Sequence, residues 1–353
     1  MKLFEAIEKI DNIDEKAMEK TRKQWLSIAK PLFSLGKLED IITKISGIKG
    51  DSQYSIKKKA LIVMCADNGV VEEGVTQTGQ EVTAVVTENF SRGLTSACIM
   101  SKTAGADVFP VDIGVAVDVK GVTDKKIKVA YGTNNIVKGA AMTREQAVSA
   151  IEAGINKVIE LRDKGYDIIA TGEMGIGNTT TSSAIMSFLF DLPAEEVTGR
   201  GAGLTKEGLK RKIGVVKKAI DINKPDRNDS IDVISKIGGL DIAGLTGVFI
   251  GGGACRVPIV IDGFISAISA VLAVKICPKI KDYIIASHVS KEPAGKLILD
   301  KLGLSPVITA DMCLGEGTGA VTLFPLLDMA YGVYSQMHTF QNWNGDETYH
   351  ILE

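Results

Sequence analysis

Six short apolar runs, each stopping at glycine or a polar residue, most constrain what this chain can fold into. They are Ala60–Cys65, Asp107–Val111, Asp167–Ala170, Gly247–Ile250, Tyr283–Ala286 and Pro306–Thr309. Runs of this length without alternation mark strands buried on both faces. Helical stripes lie between them: Val82, Val85, Val86 and Phe90 in one, and Ala147, Ile151, Ile155, Val158 and Leu161 in another. The alternation predicts an α/β fold, a parallel six-stranded Rossmann-like sheet flanked by helices. Ligands of open sheets sit beyond the carboxyl ends of the strands. The polar punctuation gathers there, in Ala66-Asp-Asn-Gly69, Asp112-Ile-Gly114, Thr171-Gly-Glu173, Gly251-Gly-Gly253, Ser287-His288 and Asp311.

The flanks differ. Residues 1–50 predict two helices, one with Leu3, Ile7 and Ile10, the other with Met18, Trp25 and Ile28 behind an Asp14 cap. Leu326, Met329, Ala330, Val333 and Met337 predict another helix in the tail. Residues 1–50 and 323–353 are expected to form a small helical domain beside a large α/β catalytic domain at 51–322. The apolar stretch Val257–Ile276 carries Pro258, Asp262, Gly263 and several small residues, so it reads as a buried or subunit-interface helix, not a membrane span.

Composition excludes some functions. With 41 basic against 43 acidic residues, 5% aromatics and no basic stripe, nucleic-acid binding is disfavoured. Five scattered cysteines without a Cys-x-x-Cys pair suit reduced thiols in a cytoplasmic protein. No metal-ligand spacing occurs; His338 and His350 lie in the tail, and His288 follows a strand, where polar packing is its expected role.

Two glycine-threaded stretches carry the chemistry. Thr171–Ser183 runs from a strand end through two glycine turns, one at Gly175, into a hydroxyl-rich helix start (Asn178, Thr179, Thr180, Thr181, Ser182, Ser183). A helix N-terminus offers free N–H groups and partial positive charge to a phosphate. Leu314-Gly-Glu-Gly-Thr-Gly319 plants Glu316 between glycines, where backbone can approach a ligand closely. A carboxylate in an anion-binding loop (Glu173, Glu316) suits binding of ribose hydroxyls or removal of a proton beside a phosphorylated ligand. Gly199–Leu204 followed by Lys206, Lys210, Arg211 and Lys212 predicts a second anion cradle that uses one lysine of the run. Neither a dinucleotide fingerprint nor a P-loop is present.

These residues resemble the nicotinate-nucleotide:dimethylbenzimidazole phosphoribosyltransferase family almost end to end. The matches are Lys30-Pro with Ser34-Leu-Gly-Lys-Leu-Glu39, Met64–Val70 with Glu73-Gly-Val75, Gly139–Arg144, Gly172–Thr180, Gly199–Leu204 with Lys212, Pro258–Phe264, Ser287-His288 and Leu314–Gly319. The resemblance implies transfer of phosphoribosyl from nicotinate mononucleotide to an aromatic lower-ligand base of cobamides, without cofactor or metal. It implies Glu316 as general base and Glu173 as the acid near the ribose. The phosphoribosyl group would be held by Gly175, Asn178, Thr179, Thr180, Gly201, Ala202, Lys212, Gly252, Ser287 and Ser290. Thr78, Val86, Met174 and Leu314 would line the base position. A homodimer is implied; the family's phenol-activating branch pairs two related chains, so a heterodimer stands beside it.

The chain also departs from the family pattern. Asp67-Asn68-Gly69 replaces Asp-His-Gly, Leu32-Phe33 replaces Pro-Gly, Thr76–Gln80 replaces a Ser- and Pro-bearing stretch, and Val86 stands where glutamine is frequent. A more apolar pocket predicts acceptors broader than dimethylbenzimidazole, phenols among them. Two competing readings are a transferase using phosphoribosyl pyrophosphate, whose acidic pair is missing, and a non-catalytic nucleotide-binding partner subunit, against which retention of both glutamates speaks.

Overall fold

The computed structural model describes residues 1–341. His350 and the end of the predicted 323–353 flank lie outside the described residues. The strands are β1 (Lys59–Ala66), β2 (Ala106–Gly114), β3 (Ile168–Met174), β4 (Ile259–Ile261) and β5 (Ile284–Ala286). Ahead of β2 come helices α1 (Leu3–Glu8), α2 (Glu15–Ser27), α3 (Lys37–Lys49), α4 (Glu81–Ser91) and α5 (Ser96–Thr103). Then follow α6 (Arg144–Asp163), α7 (Asn178–Phe190), α8 (Ala194–Val197), α9 (Lys206–Asn223) and α10 (Ser230–Ile237). The last are α11 (Leu240–Cys255), α12 (Phe264–Ile276), α13 (Gly295–Leu302) and α14 (Thr318–Gln336).

The sheet is parallel, in the order β2-β1-β3-β4-β5. Its order reverses between β1 and β3, so their carboxyl ends flank the crevice in which doubly wound sheets bind ligands. Both strands are buried along their whole length. Residues Ile62 and Met64 face one apolar cluster, with α6 and α11, and Leu61 and Val63 face the other, with α14.

Five strands, not six, form the sheet among the described residues, and two predicted strands are corrected. Gly247–Ile250 lies within α11, which is buried all round and so shows no amphipathic period. Its glycines let α6 approach closely: a side chain at Gly247 would collide with the Ile151 carbonyl, and one at Gly154 with the Gly244 carbonyl. Pro306–Thr309 contributes one bridge, Ile308 to His288. The missed strand, β4, hides in the apolar stretch Val257–Ile276, whose remainder is α12.

Asp14 caps α2, accepting from the Ala17 N–H at 2.9 Å. The flank to residue 50 holds a third helix, α3. On α4 the fully buried face is Thr83, Thr87 and Phe90; Val82 and Val86 pack half-buried against the same core, and Val85 is exposed. In α14 it is Leu323, Phe324, Leu327 and Ala330 that are buried, and Met329 faces out. Trp25, Ile42 and Ile45 of α2 and α3 share a core with Leu61, Val63 and Phe324. The short α1 packs instead on α6 and α11.

Candidate active site

A cleft of about 1030 Å³, counted to its open mouth, lies beyond the carboxyl ends of the strands. Glu173 and Met174 end β3, Asp262 follows β4, and His288 and Ser290 follow β5. The opening turn of α7, the loop at 200–202, Lys212 on α9, the 75–78 segment and the 313–316 loop complete the wall.

The structure brings together Thr78, Glu173, Met174, Gly175, Asn178, Thr179, Gly201, Ala202, Lys212, Ser290, Leu314 and Glu316. Four expected residues do not line the cleft. Gly252, which the family resemblance implied at the phosphoribosyl group, sits within α11, where a side chain would collide with Ile259. Ser287 is buried behind the cleft, donating to the Ile261 carbonyl at 2.6 Å. Val86 is half-buried on α4, packed toward the core. Thr180 turns inward with the helical repeat and is fully buried. Thr181, Ser182 and Ser183 are buried likewise; Thr181 donates to the Asn178 carbonyl, and Ser183 to Thr179 and Val197 carbonyls. Most of the hydroxyl run packs α7, and Asn178 and Thr179 alone of it face the cleft.

One end of the cleft presents a buried cation beside bare backbone. Lys212 is 1% exposed, and its Nζ donates to Thr179 Oγ1 at 2.7 Å and to the Gly199 carbonyl at 3.1 Å. Burial lowers its pKa to about 8, opposed by Glu292. Gly201, at φ +52°, lies against this pair: a methyl there would stand 3.2 Å from Thr179 Oγ1 and 3.5 Å from Lys212 Nζ. The bare backbone and the ammonium thus face one volume, beside the N-terminus of α7.

The cleft also gathers acids. Glu173 is buried at the cleft wall, and burial, then the charge of Asp241, raises its carboxyl to about 8. The Asn178 amide donates both to Glu173 Oε2 and, at 2.9 Å, to Asp241 Oδ2. Burial lifts Asp241 to about 6, opposed first by that amide.

Glu316 sits at φ +61° between Gly315 at +85° and Gly317 at +88°. A non-glycine residue there is strained, as happens where a functional side chain must be aimed. Burial raises its pKa; a hydrogen bond from the Ala97 N–H opposes this, and the charge of Asp262 adds to it. Its Oε2 is buried with no partner. Asp262 fastens the loop, accepting from the N–H groups of Gly317 at 3.1 Å, Gly319 at 2.8 Å and Ala320 at 3.1 Å. Burial raises the Asp262 pKa, and the neighbouring His288 lowers it.

Sequence reasoning missed Asp241, Asp262 and Glu292 as site residues. A lone acid opening the apolar run 240–255 was the available signal for Asp241. Asp262 lay inside a recognised match without a role. Glu292 has no signal in the sequence.

Comparison with known proteins gives one consistent result. A family model described as phosphoribosyltransferase matches residues 10–344. The nicotinate-nucleotide–dimethylbenzimidazole phosphoribosyltransferase of Acetivibrio thermocellus is 51% identical over 342 residues, covering 96% of this chain and 97% of that protein. Its namesake from Clostridium acetobutylicum is 51% identical over 344 residues, covering 97% of each chain. The crystal structure of the same-named enzyme from Thermus thermophilus superposes with a TM-score of 0.87 at 35% identity, covering 95% of this chain and 100% of that one.

Proposed function

The chain belongs to the nicotinate-nucleotide–dimethylbenzimidazole phosphoribosyltransferase family, and we propose that the cleft carries that reaction with the following roles. The enzyme transfers phosphoribosyl from nicotinate mononucleotide to an aromatic base, giving the α-riboside 5′-phosphate and nicotinate in cobamide biosynthesis. Lys212, Thr179 and the Gly201 backbone take the 5′-phosphate, and Glu173 and Asn178 face the ribose. Met174, Leu314 and Thr78 line the acceptor base.

A ring nitrogen of the base attacks the anomeric carbon on the face opposite the pyridinium. The bond from that carbon to the pyridinium nitrogen breaks, its electron pair goes to nicotinate, and β becomes α. Glu316 removes the ring N–H proton; a raised pKa suits it to do so near neutral pH. Positioning of two bound reactants supplies much of the rate. The observation that carries this reading is Glu316, held in left-handed backbone at the cleft with an unpartnered buried oxygen.

The acceptor range extends beyond dimethylbenzimidazole to phenols. The support is the apolar lining of Met174, Phe264 and Leu314; Val86, packed outside the lining, no longer contributes. For a phenol the bond forms at the hydroxyl oxygen, whose proton Glu316 takes. Leu314, 55% exposed at the mouth, favours a homodimer in which a second copy covers it. On this reading α2, α3 and α14 form the small helical domain, and α1 belongs to the large one. The test is nicotinate release with a panel of bases and chromatographic identification of each riboside. Base-dependent release supports the assignment. Use of dimethylbenzimidazole alone, with phenol and p-cresol ignored, overturns the broader range.

A further inference from the structure

Behind Glu173 lies a buried polar chain that no role above explains. Asn178 places its amide nitrogen between two carboxylates, Glu173 and Asp241. Asp241 is 0% exposed and stands at the first turn of α11, which otherwise serves packing. Its second oxygen, Oδ1, has no partner, and neither has either amide atom of the equally buried Asn68.

Glycines show how close these groups are. A methyl on Gly175 would stand 2.8 Å from Asp241 Oδ2 and 3.1 Å from Asn68 Nδ2. A methyl on Gly239 would stand 2.6 Å from Asn68 Oδ1 and would also collide with Asp241 Oδ1. Asn68 and Asp241 therefore share one glycine-walled space, oxygen beside oxygen. A carboxylate oxygen and an amide left unpaired in such a place are destabilising. Exchanging the amide's oxygen and nitrogen turns an N–H toward Asp241 Oδ1, since which atom is which is set by the hydrogen-bond network.

We propose that Asn68, Asp241 and Asn178 form a positioning chain that aims the Glu173 carboxyl at the ribose. Asn68 donates to Asp241, which holds the Asn178 amide, which holds one oxygen of Glu173. The other oxygen, on the Gly315 side (a methyl on Gly315 would stand 2.7 Å from it), then carries the proton and donates into the cleft. Asp241 contributes by geometry and by charge: a second carboxylate nearby disfavours ionisation of Glu173. The other titratable groups facing Glu173 are Asp262, itself beside His288, and Glu316; Asp67 faces Asp241, and Cys65 lies on the adjacent strand. Asn68 and Asp241 are positioning residues that act through Glu173; Asn178 also lines the cleft.

This inference rests on the proposed reaction, and the test separates the two. Asp241→Asn keeps an oxygen for Asn178 and removes the charge. We expect the alkaline limb of the kcat/KM profile for the nucleotide to move at least ~0.5 pH unit toward acid, with nucleotide KM at pH 7 changed less than about threefold. Asn68→Leu should lower kcat at least ~10-fold, and Asn68→His, which returns a ring N–H, should restore most of that loss. A lowered kcat with an unmoved limb, or an Asp241→Asn enzyme indistinguishable from wild type, overturns the chain. Independently of turnover, melting temperature against pH reports the same proton. Its fall with rising pH should end at lower pH and be smaller in Asp241→Asn, and be reduced in Glu173→Gln. Wild-type protein without base-dependent nicotinate release would refute the reaction assigned above, while the melting series would still decide the chain.

Discussion

Gly172 of β3 presses on the backbone of Glu316: a methyl at residue 172 would stand 2.6 Å from the Glu316 carbonyl oxygen and 2.9 Å from the Gly317 nitrogen. The two glycine-threaded stretches of the sequence therefore meet in space, and the strand that ends in one glutamate seats the loop that carries the other. Gly172→Ala should push that loop away. We expect kcat to fall ~100-fold, the order expected for a displacement of about 1 Å at a reacting group, with nucleotide binding retained. Steady-state kinetics beside calorimetric binding checks this.

Lys212 is the cleft's buried cation. Lys212→Met should raise KM for nicotinate mononucleotide by ~10–100-fold, the worth of a charge-assisted hydrogen bond of roughly 1.5–3 kcal/mol. The dephosphorylated nucleoside should show no comparable loss between wild type and variant. Equal losses for both substrates would place the phosphate elsewhere.

The glycine loop depends on Asp262 and its three backbone hydrogen bonds. Asp262→Ala leaves those N–H groups unpaired and should destabilise the protein by about 2–4 kcal/mol. Urea unfolding followed by circular dichroism measures the change. Activity should fall further than stability alone explains, because Glu316 rides on the same loop.

Glu173 makes stability depend on pH in a stated direction. Its folded pKa, about 8, lies above the ordinary value of 4.5. The native state therefore holds a proton that the unfolded chain releases, so stability is full below the ordinary value and is lost as pH rises through about 8. Asp241, raised from 3.8 to about 6, acts in the same sense at lower pH. Glu173→Gln, neutral throughout, should melt higher than wild type at pH 9, by ~2–4 °C for each kcal/mol relieved. It should also lose activity, the usual exchange at a functional site.

How much of this was legible in the sequence depends on what shaped each segment. β1, β2, β3 and β5 read directly, because a fully buried strand is a short apolar run with a sharp polar end. The Gly247–Ile250 error has the same cause: α11, buried all round against α6, also reads as an apolar run, and its glycines look like a strand end. β4 has three residues, too few to stand out from the helix that follows. At the site, Glu173 and Glu316 stand out as charges among glycines, whereas Lys212 was singled out from its basic run only by the family resemblance. Thr180 and Ser287 were misplaced because residue type does not tell which side of a turn faces the ligand. Asp241 and Asn68 became visible once β1, α7 and α11 were set side by side.

The account turns on Glu316 as the base that accepts the proton of the incoming ring. The most direct measurement is nicotinate release by Glu316→Ala with dimethylbenzimidazole present, beside its affinity for nicotinate mononucleotide. We predict that kcat falls by ~10²–10⁴-fold, the usual contribution of a general base, with nucleotide affinity within about threefold of wild type. A variant that releases nicotinate at close to the wild-type rate would contradict it.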